Sequence, residues 1–231
     1  MKKLGIIGGI GPEATTGYYM AIIKDYQNRV GTQQALPEIV INSINMYHMF
    51  ALLDQKDKDG VVRYLATAIN GLQRAGADFV LMCGNTPHIV FDQLEKQVDI
   101  PLLSIVQTAL AGAKKLGLTR LGLLGTKFTM QHDFFSRPFE QAGIKVVTPD
   151  DQEQIFIHRK IVDELENGII NPETKQQLLA IIMNLIHREH LDGIVLGCTE
   201  LPLIIKPADL SVSLLDIAKL HISAAVDEIL K

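Results

Sequence analysis

The sequence predicts an α/β fold built from two similar halves, each with a mostly parallel sheet. Short runs rich in Ile, Val and Leu alternate with longer amphipathic segments, the pattern of parallel strands joined by helices. Two features repeat at nearly one spacing. Gly5 and Gly122 lie in similar glycine-ended apolar runs 117 residues apart, and Cys83 and Cys198 end similar runs 115 residues apart. We therefore expect a duplicated unit of about 115 residues.

Each half is expected to contain four strands, because four short apolar runs in each are bounded by turn residues. They lie near residues 3–8, 38–44, 78–83 and 100–105, and then near 120–125, 144–148, 193–197 and 212–215. The amphipathic segments predict helices near 13–29, 60–75, 87–97, 106–117, 130–142, 152–167, 173–190 and 216–230. No linker rich in Pro, Gly or Ser separates the halves. We expect a first domain of residues 1–104 plus 212–231 and a second of residues 105–211.

Composition excludes several classes of protein. A chain of 231 residues with 47% hydrophobic residues can bury a core without a disulfide or metal scaffold. A net charge of -4, without a Lys/Arg cluster, argues against nucleic acid as a partner. The apolar stretch 178–186 is too short to span a bilayer, and the apolar run 4–10 precedes no plausible cleavage site. We expect a cytoplasmic protein without a membrane partner, whose two cysteines are free thiols.

The two cysteines are the candidate catalytic residues. Ligands of open parallel sheets bind beyond the carboxyl ends of the strands, and Cys83 and Cys198 each follow such an end, just before a predicted helix. A helix start lowers the pKa of a thiol, so we expect one thiol and one thiolate to be attainable together. If the two strand edges face each other, the sulfurs line one inter-domain cleft. One sulfur could then remove a proton from a carbon while the other returns a proton to its opposite face, inverting that carbon.

The residues beside the cysteines allow two interpretations each. Asn85, Thr86 and Thr199 could donate hydrogen bonds to a substrate carboxylate, or they could be ordinary helix caps. Glu200 could accept from a substrate ammonium, or it could complement a helix dipole. His88 could tune the first cysteine, or it could lie half exposed at the surface.

Three segments, 5–15, 83–88 and 197–200, together resemble the hallmark segments of the aspartate/glutamate racemase family, in the same order along the chain. The resemblance implies two flavodoxin-like domains in pseudo-symmetry and an amino-acid racemase, acting on aspartate or glutamate, that needs no pyridoxal phosphate or other cofactor. It also implies a homodimer. By position, Cys83 and Cys198 would be the two acid/base residues. The substrate-binding residues would be Gly9, Gly11, Thr15, Asn85, Thr86, Thr126, Thr199 and Glu200.

One departure from the family pattern concerns the side chain of the substrate. Members that act on aspartate are expected to hold the distal carboxylate with cations, but residues 45–50 contain no Arg or Lys. Phe156 stands where a Lys is expected, and Arg159 and Lys160 are the nearest possible substitutes. A neutral or larger amino acid is therefore an open alternative.

Other functions compete with racemisation. Residues 9–14 fit the G-x-G-x-x-A dinucleotide fingerprint, but residues 42–45, which end the second predicted strand, include no acidic ribose anchor. Glu13 would also repel a pyrophosphate, so a nicotinamide-dependent dehydrogenase is disfavoured. A related cysteine-dependent isomerase or decarboxylase and a non-enzymatic amino-acid-binding protein remain as alternatives. No residue pattern suggests a bound metal, and none is predicted.

Overall fold

The computed structural model describes all 231 residues, Met1–Lys231, and the chain divides into two compact units. Unit 1 contains Met1–Ile105 and His221–Lys231, and unit 2 contains Val106–Leu220. Each unit has one sheet of four parallel strands. The predicted α/β class with parallel sheets is confirmed.

Unit 1 alternates strands and helices from its first residues. Its elements are β1 (Leu4–Gly8), α1 (Pro12–Val30), β2 (Ile39–Ser43), α2 (Met46–Asp54), α3 (Lys58–Arg74), β3 (Phe79–Met82), α4 (Phe91–Glu95) and β4 (Leu102–Leu103). A 3₁₀ turn, Thr86–Val90, precedes α4. The strand order is β2-β1-β3-β4, the beginning of the flavodoxin-like order.

Unit 2 repeats this arrangement. Its elements are α5 (Ile105–Lys115), β5 (Arg120–Leu124), α6 (Lys127–Gln131), α7 (Ser136–Gln141), β6 (Lys145–Val147), α8 (Asp151–Asp163), α9 (Pro172–Glu189), β7 (Gly193–Leu196), α10 (Leu201–Ile204) and β8 (Ser213–Asp216). The last helix, α11 (Ile217–Ile229), ends in unit 1. The strand order β6-β5-β7-β8 is the order of unit 1, with β5, β6, β7 and β8 in the places of β1, β2, β3 and β4.

The central strands of both sheets are buried along their whole length, except for Arg120 at the start of β5, as expected for parallel strands covered on both faces. Gly5 and Gly122 hold equivalent places in them. A Cβ atom on Gly5 would lie 2.9 Å from Val80 Cγ2, and one on Gly122 would lie 2.8 Å from Ile194 Cδ1. The repeated glycine therefore meets the same packing requirement in each unit.

Several helices differ from the predictions. The helix α2 was not predicted; it begins where the Asn45 side chain accepts a hydrogen bond from the backbone N–H of Tyr47. The single helix expected over residues 130–142 is two short helices, because the backbone of His132 is extended and ends α6. The helix expected over residues 87–97 is a 3₁₀ turn followed by α4.

The return of the chain to unit 1 also comes later than residue 212. Strand β8 pairs with β7, with Leu215 opposite Val195, and so adds a fourth strand to the sheet of unit 2. Because these backbone hydrogen bonds hold β8 in that sheet, unit 2 extends to Leu220.

Candidate active site

Both cysteines lie at the point in their sheet where ligands of this architecture bind. The order of each sheet reverses between β1 and β3, and between β5 and β7, and ligands bind beyond the carboxyl ends of the strands at such points. Cys83 directly follows β3, and Cys198 follows β7 after one glycine. The fold therefore brings one thiol to the expected binding edge of each unit.

Cys83 is enclosed by the loop that joins β1 to α1. The residue is 0% exposed, and its thiol donates a hydrogen bond to the backbone oxygen of Ile7, with Sγ 3.2 Å from that oxygen. The hydroxyl of Thr15 lies 3.5 Å from the sulfur. That hydroxyl also accepts from the N–H of Gly9 and lies 2.9 Å from the carbonyl oxygen of Gly11. Gly9, Gly11 and Thr15, all predicted from the sequence, are thus gathered beside this cysteine.

Gly9 gives the loop its shape. Its φ of 76° lies in the left-handed region, and a Cβ atom there would lie 2.1 Å from the backbone oxygen of Ile44. Its N–H is occupied by Thr15. The contribution of Gly9 is therefore to the path of the backbone next to the sulfur.

The surroundings of Cys83 favour the thiol over the thiolate. Burial raises the pKa of this thiol to about 11, and the hydrogen bond with Thr15 opposes that rise. The element that follows Cys83 is a 3₁₀ turn of five residues, Thr86–Val90, not a long helix. The expectation that a helix start lowers the pKa of this thiol is wrong, because burial outweighs it.

Cys198 is half-buried and lies against a carboxylate. Its thiol donates to Oε2 of Glu200, with Sγ 2.8 Å from that oxygen. The hydroxyl of Thr199 donates to Oε1 of the same carboxylate at 2.8 Å. Glu200 therefore contacts the sulfur, a relation that the sequence did not predict, while the predicted grouping of Cys198, Thr199 and Glu200 is present within unit 2.

The pKa of Cys198 is also raised, well above its ordinary value. Burial is the largest cause, followed by the charge of Glu200 and its hydrogen bond, and then by the charge of Glu166. The pKa of Glu166 is itself raised by burial and by repulsion from Glu200. A lowered pKa was expected for this thiol as well, and that expectation is wrong for the same reason of burial, with the added effect of a like charge.

Three further predicted residues have structural contacts. Asn85 is buried, and its backbone carbonyl oxygen accepts a hydrogen bond from the backbone N–H of His88 at 3.0 Å. Thr86 is half-buried at the start of the 3₁₀ turn. Thr126 caps α6, where its hydroxyl oxygen accepts from the N–H of Thr129 at 3.4 Å. The capping interpretation is wrong for Asn85, whose side chain makes no capping hydrogen bond to the 3₁₀ turn, whereas Thr126, expected only to bind substrate, is a cap.

Sequence reasoning missed two features of the site. Glu166 lies in a 3₁₀ turn, Leu165–Asn167, within a segment that the sequence predicted as helix. The hydrophobic pattern of that segment did not indicate that the charge of Glu166 acts on Cys198. His88 is 4% exposed, which excludes the surface interpretation. Its ring nitrogens form hydrogen bonds with the backbone of Gly84 and of Ile105. His88 therefore does not bond Cys83 directly and is connected to it through Gly84.

Lys160 and Arg159 are the cationic side chains that could substitute in binding the distal carboxylate of an acidic substrate. Lys160 pairs with Glu164, one turn later on α8, and its Nζ lies 5.7 Å from the centroid of the Phe156 ring. Arg159 is exposed. To hold a distal carboxylate, Lys160 would therefore have to share its charge with Glu164.

The remaining features of the chain concern metals, disulfides and membranes. No group of three or more His, Cys, Asp or Glu side chains is arranged to hold a metal ion. Both cysteines are free. None of the helices combines the length and apolar character needed to cross a bilayer.

Comparison with known proteins places this geometry in a family. The sequence profile of Asp/Glu/Hydantoin racemases matches residues 7–225. A solved aspartate racemase homologue from Pyrococcus horikoshii OT3 is 35% identical, with a TM-score of 0.89 and complete coverage of both chains. A solved candidate Asp/Glu racemase from Yersinia pestis is 34% identical, with a TM-score of 0.92 and complete coverage of both chains.

More distant relatives carry racemase names as well. The broad specificity amino-acid racemase RacX of Bacillus subtilis (strain 168) is 24% identical over 221 residues, which are 92% of each chain. Several glutamate racemases match over shorter stretches, where the chain spans between 46% and 57% of their length. The chain therefore belongs to the Asp/Glu/Hydantoin racemase family, and the predicted class of enzyme, an isomerase that acts as a racemase, is confirmed.

Proposed function

We propose that this racemase inverts the Cα atom of a free amino acid by two-base proton transfer between Cys83 and Cys198, without pyridoxal phosphate. The observation that carries the proposal is the repeated placement of a free thiol beyond equivalent strands of the two sheets, β3 and β7. Two such thiols suit a reaction in which a proton leaves one face of a carbon and another arrives on the opposite face.

The proton transfer balances in both directions. One sulfur, as thiolate, takes the Cα proton, and the electron pair left behind spreads into the substrate carboxylate. The other sulfur, as thiol, donates its proton to the opposite face of Cα. The enantiomer is then formed and the two sulfurs have exchanged protonation states, so that the reverse reaction can begin.

One of the two thiols must lose a proton before this cycle starts, because the raised pKa of each keeps both protonated at rest. We assign this step at Cys198 to Glu200, whose Oε2 already accepts the thiol hydrogen bond. At Cys83 the neighbours are the carbonyl of Ile7 and the hydroxyl of Thr15, neither of which is a carboxylate. Cys198 therefore has a local proton acceptor, and Cys83 is the cysteine that remains a thiol in the resting enzyme.

The substrate carboxylate needs hydrogen-bond donors that hold it and stabilise the charge developing on it. We propose Asn85, Thr86 and Thr199 for this role, because each lies within three residues after one of the two cysteines. Aspartate and glutamate are the substrates to test first, since relatives carry those names. The pair between Lys160 and Glu164 makes a neutral amino acid the main competitor. We further propose a cytoplasmic homodimer, on the basis of the family resemblance.

The test is a panel of L- and D-amino acids incubated in deuterated water, with enantiomers separated by chiral chromatography and α-proton loss followed by NMR. We expect the parent enzyme to racemise at least one amino acid. Cys83→Ser and Cys198→Ser should each lower the rate by roughly 100-fold or more, because a hydroxyl is a far weaker acid than a thiol. A single variant can still exchange deuterium into one enantiomer.

The control is Thr67→Ser, an exposed hydroxyl on α3 that bonds the backbone of Arg63 and should racemise at the parent rate. Racemisation near the parent rate in both cysteine variants would exclude the two-base mechanism. Loss of carbon dioxide from a substrate in place of inversion would indicate the decarboxylase alternative.

A further inference from the structure

Two fully buried histidines of unit 1 have no part in the proposed proton transfer. His88 is 4% exposed and His221 is 0% exposed. Their ring centroids lie 6.4 Å apart, edge to face, and the ring of His88 also stacks on Phe91 at 5.3 Å. A buried imidazole is retained at low cost only when both ring nitrogens have partners.

Both nitrogens of His88 are bonded to backbone groups, which determine its tautomer. Nδ1 lies 3.1 Å from the carbonyl oxygen of Gly84, which can only accept, so Nδ1 carries the proton. Nε2 lies 3.2 Å from the N–H of Ile105, which can only donate, so Nε2 is unprotonated. The neutral ring is therefore a donor on one side and an acceptor on the other, and an added proton would break the contact with Ile105.

His221 has the opposite arrangement. Its Nε2 lies 3.0 Å from the carbonyl oxygen of Leu103 and donates to it, so Nδ1 is free to accept from the hydroxyl of Tyr18 at 3.2 Å. Unit 1 ends at Ile105 and resumes at His221. Both rings therefore bind the backbone at or near the residue at which the chain leaves unit 1, and His221 is the residue at which it re-enters.

The partner of His88 on the other side, Gly84, is bonded covalently to Cys83. A peptide group is planar, so holding the Gly84 carbonyl also holds the plane that continues into Asn85. From the other direction Gly84 packs against Ile10, since a Cβ atom at residue 84 would lie 2.6 Å from Ile10 Cγ2. The backbone after the sulfur is thus held between the β1–α1 loop and the imidazole of His88.

We propose that His88 is a positioning residue for Cys83: its Nδ1–H holds the Gly84 carbonyl and thereby sets where the sulfur points, while Nε2 anchors the ring to Ile105. The inference rests on the proposed role of Cys83 as an acid/base group. Small displacements of a catalytic group are costly, with about 1 Å of misplacement lowering a rate by roughly 100-fold.

Two substitutions separate the two hydrogen bonds of the ring. In His88→Asn the amide N–H₂ can take the place of Nδ1 and keep the bond to Gly84, while the bond to Ile105 is lost. In His88→Gln the longer side chain places an oxygen near the position of Nε2, which keeps the bond to Ile105 and loses the bond to Gly84. We expect kcat to fall on the order of 10- to 100-fold in His88→Gln and by no more than about threefold in His88→Asn, with KM changed less than kcat in both.

A second measurement does not depend on racemisation. In a Cys198→Ser background, the rate at which a small methanethiosulfonate labels Cys83 should rise at least about fivefold with His88→Gln and stay near the parent value with His88→Asn, because a loosened backbone exposes the sulfur. Tyr18→Phe is the matched control. It removes a buried hydrogen bond to His221 without touching the Gly84 carbonyl, so it should lower Tm while leaving kcat and the labelling rate within about twofold.

Each result decides the proposal. Equal kcat values together with equal labelling rates in the two folded variants, a larger loss in His88→Asn, or losses that follow Tm in all three variants would overturn it. Failure of both His88 variants to fold would also overturn it, since the residue would then be structural. If labelling of Cys83 changes as expected and kcat does not, His88 positions the sulfur but Cys83 is not an acid/base group, so the proposed function fails and the positioning role stands.

Discussion

Cys83 and Cys198 each lie just beyond the equivalent strand in two copies of one strand order, yet their surroundings differ. Cys83 is fully buried and its thiol donates to a backbone carbonyl. Cys198 is half-buried and its thiol donates to a carboxylate. The residue two positions after the cysteine is Asn85 in one unit and Glu200 in the other. The repeated fold therefore places the sulfurs, and the residues that follow determine where each thiol proton can go.

The largest effect expected from this difference is at Glu200. Glu200→Gln keeps the size of the side chain but removes the group that takes the proton of Cys198, so kcat should fall by roughly 100-fold with a smaller change in KM. Steady-state kinetics in both directions measure this. Enantiomers have equal free energies, so kcat/KM must fall equally in the two directions, and the asymmetry of the sites should instead appear in the primary deuterium isotope effects of the L- and D-substrates.

Glu173→Gln is the matched control for this variant, because it also replaces a carboxylate by an amide, at an exposed position in the first turn of α9. Its kcat should stay within about twofold of the parent. A rise in KM with unchanged kcat in Glu200→Gln would instead support the interpretation made from the sequence, in which Glu200 binds the substrate ammonium.

The pH dependence of labelling tests whether both sites hold thiols at rest. Iodoacetamide reacts with the thiolate, whose fraction rises tenfold per pH unit below the pKa. With the pKa of Cys83 raised to about 11 and that of Cys198 raised well above its ordinary value, the labelling rate of each cysteine, with the other changed to Ser, should climb by about tenfold per unit between pH 7 and pH 9.

A short unstructured cysteine peptide is the reference, since its labelling should level off above an ordinary thiol pKa of about 8.5. If the labelling rate of one cysteine levels off below pH 8, that cysteine is a thiolate at rest, and its pKa is lowered instead of raised.

The smallest expected effect is on the free energy of unfolding, and it concerns the residues that directly follow the two cysteines. Gly84→Ala would bring a Cβ atom within 2.6 Å of Ile10 Cγ2 and 3.0 Å of the Ile10 carbonyl oxygen. We expect it to lower the free energy of unfolding by about 1–3 kcal/mol. Thr199→Ala removes one hydrogen bond at a half-buried position and should cost about 0.5–1.5 kcal/mol. Urea denaturation of both variants measures the difference, and a larger loss in Thr199→Ala would show that the Cys83 segment is the less tightly packed of the two.

Much of the fold could be predicted because the signals are local. The buried central strands are continuous apolar runs, and the repeated glycines Gly5 and Gly122 mark equivalent positions in them. The missed helix α2 and the division of residues 130–142 into α6 and α7 depend on single capping contacts and one extended residue, which periodicity does not register. The loop around Cys83 was predicted in part, since Gly9, Gly11 and Thr15 were named without their hydrogen bonds.

By itself, the sequence determined the α/β class, the internal repeat and the cysteine at the end of a central strand in each half, because these follow from patterns of neighbouring residues. Only the tertiary structure decided the ionisation of those cysteines and the partners of Glu200 and His88. The physical reason is that a pKa depends on burial and on charges brought together across space, and Glu166, 32 residues before Cys198, acts on it only after folding.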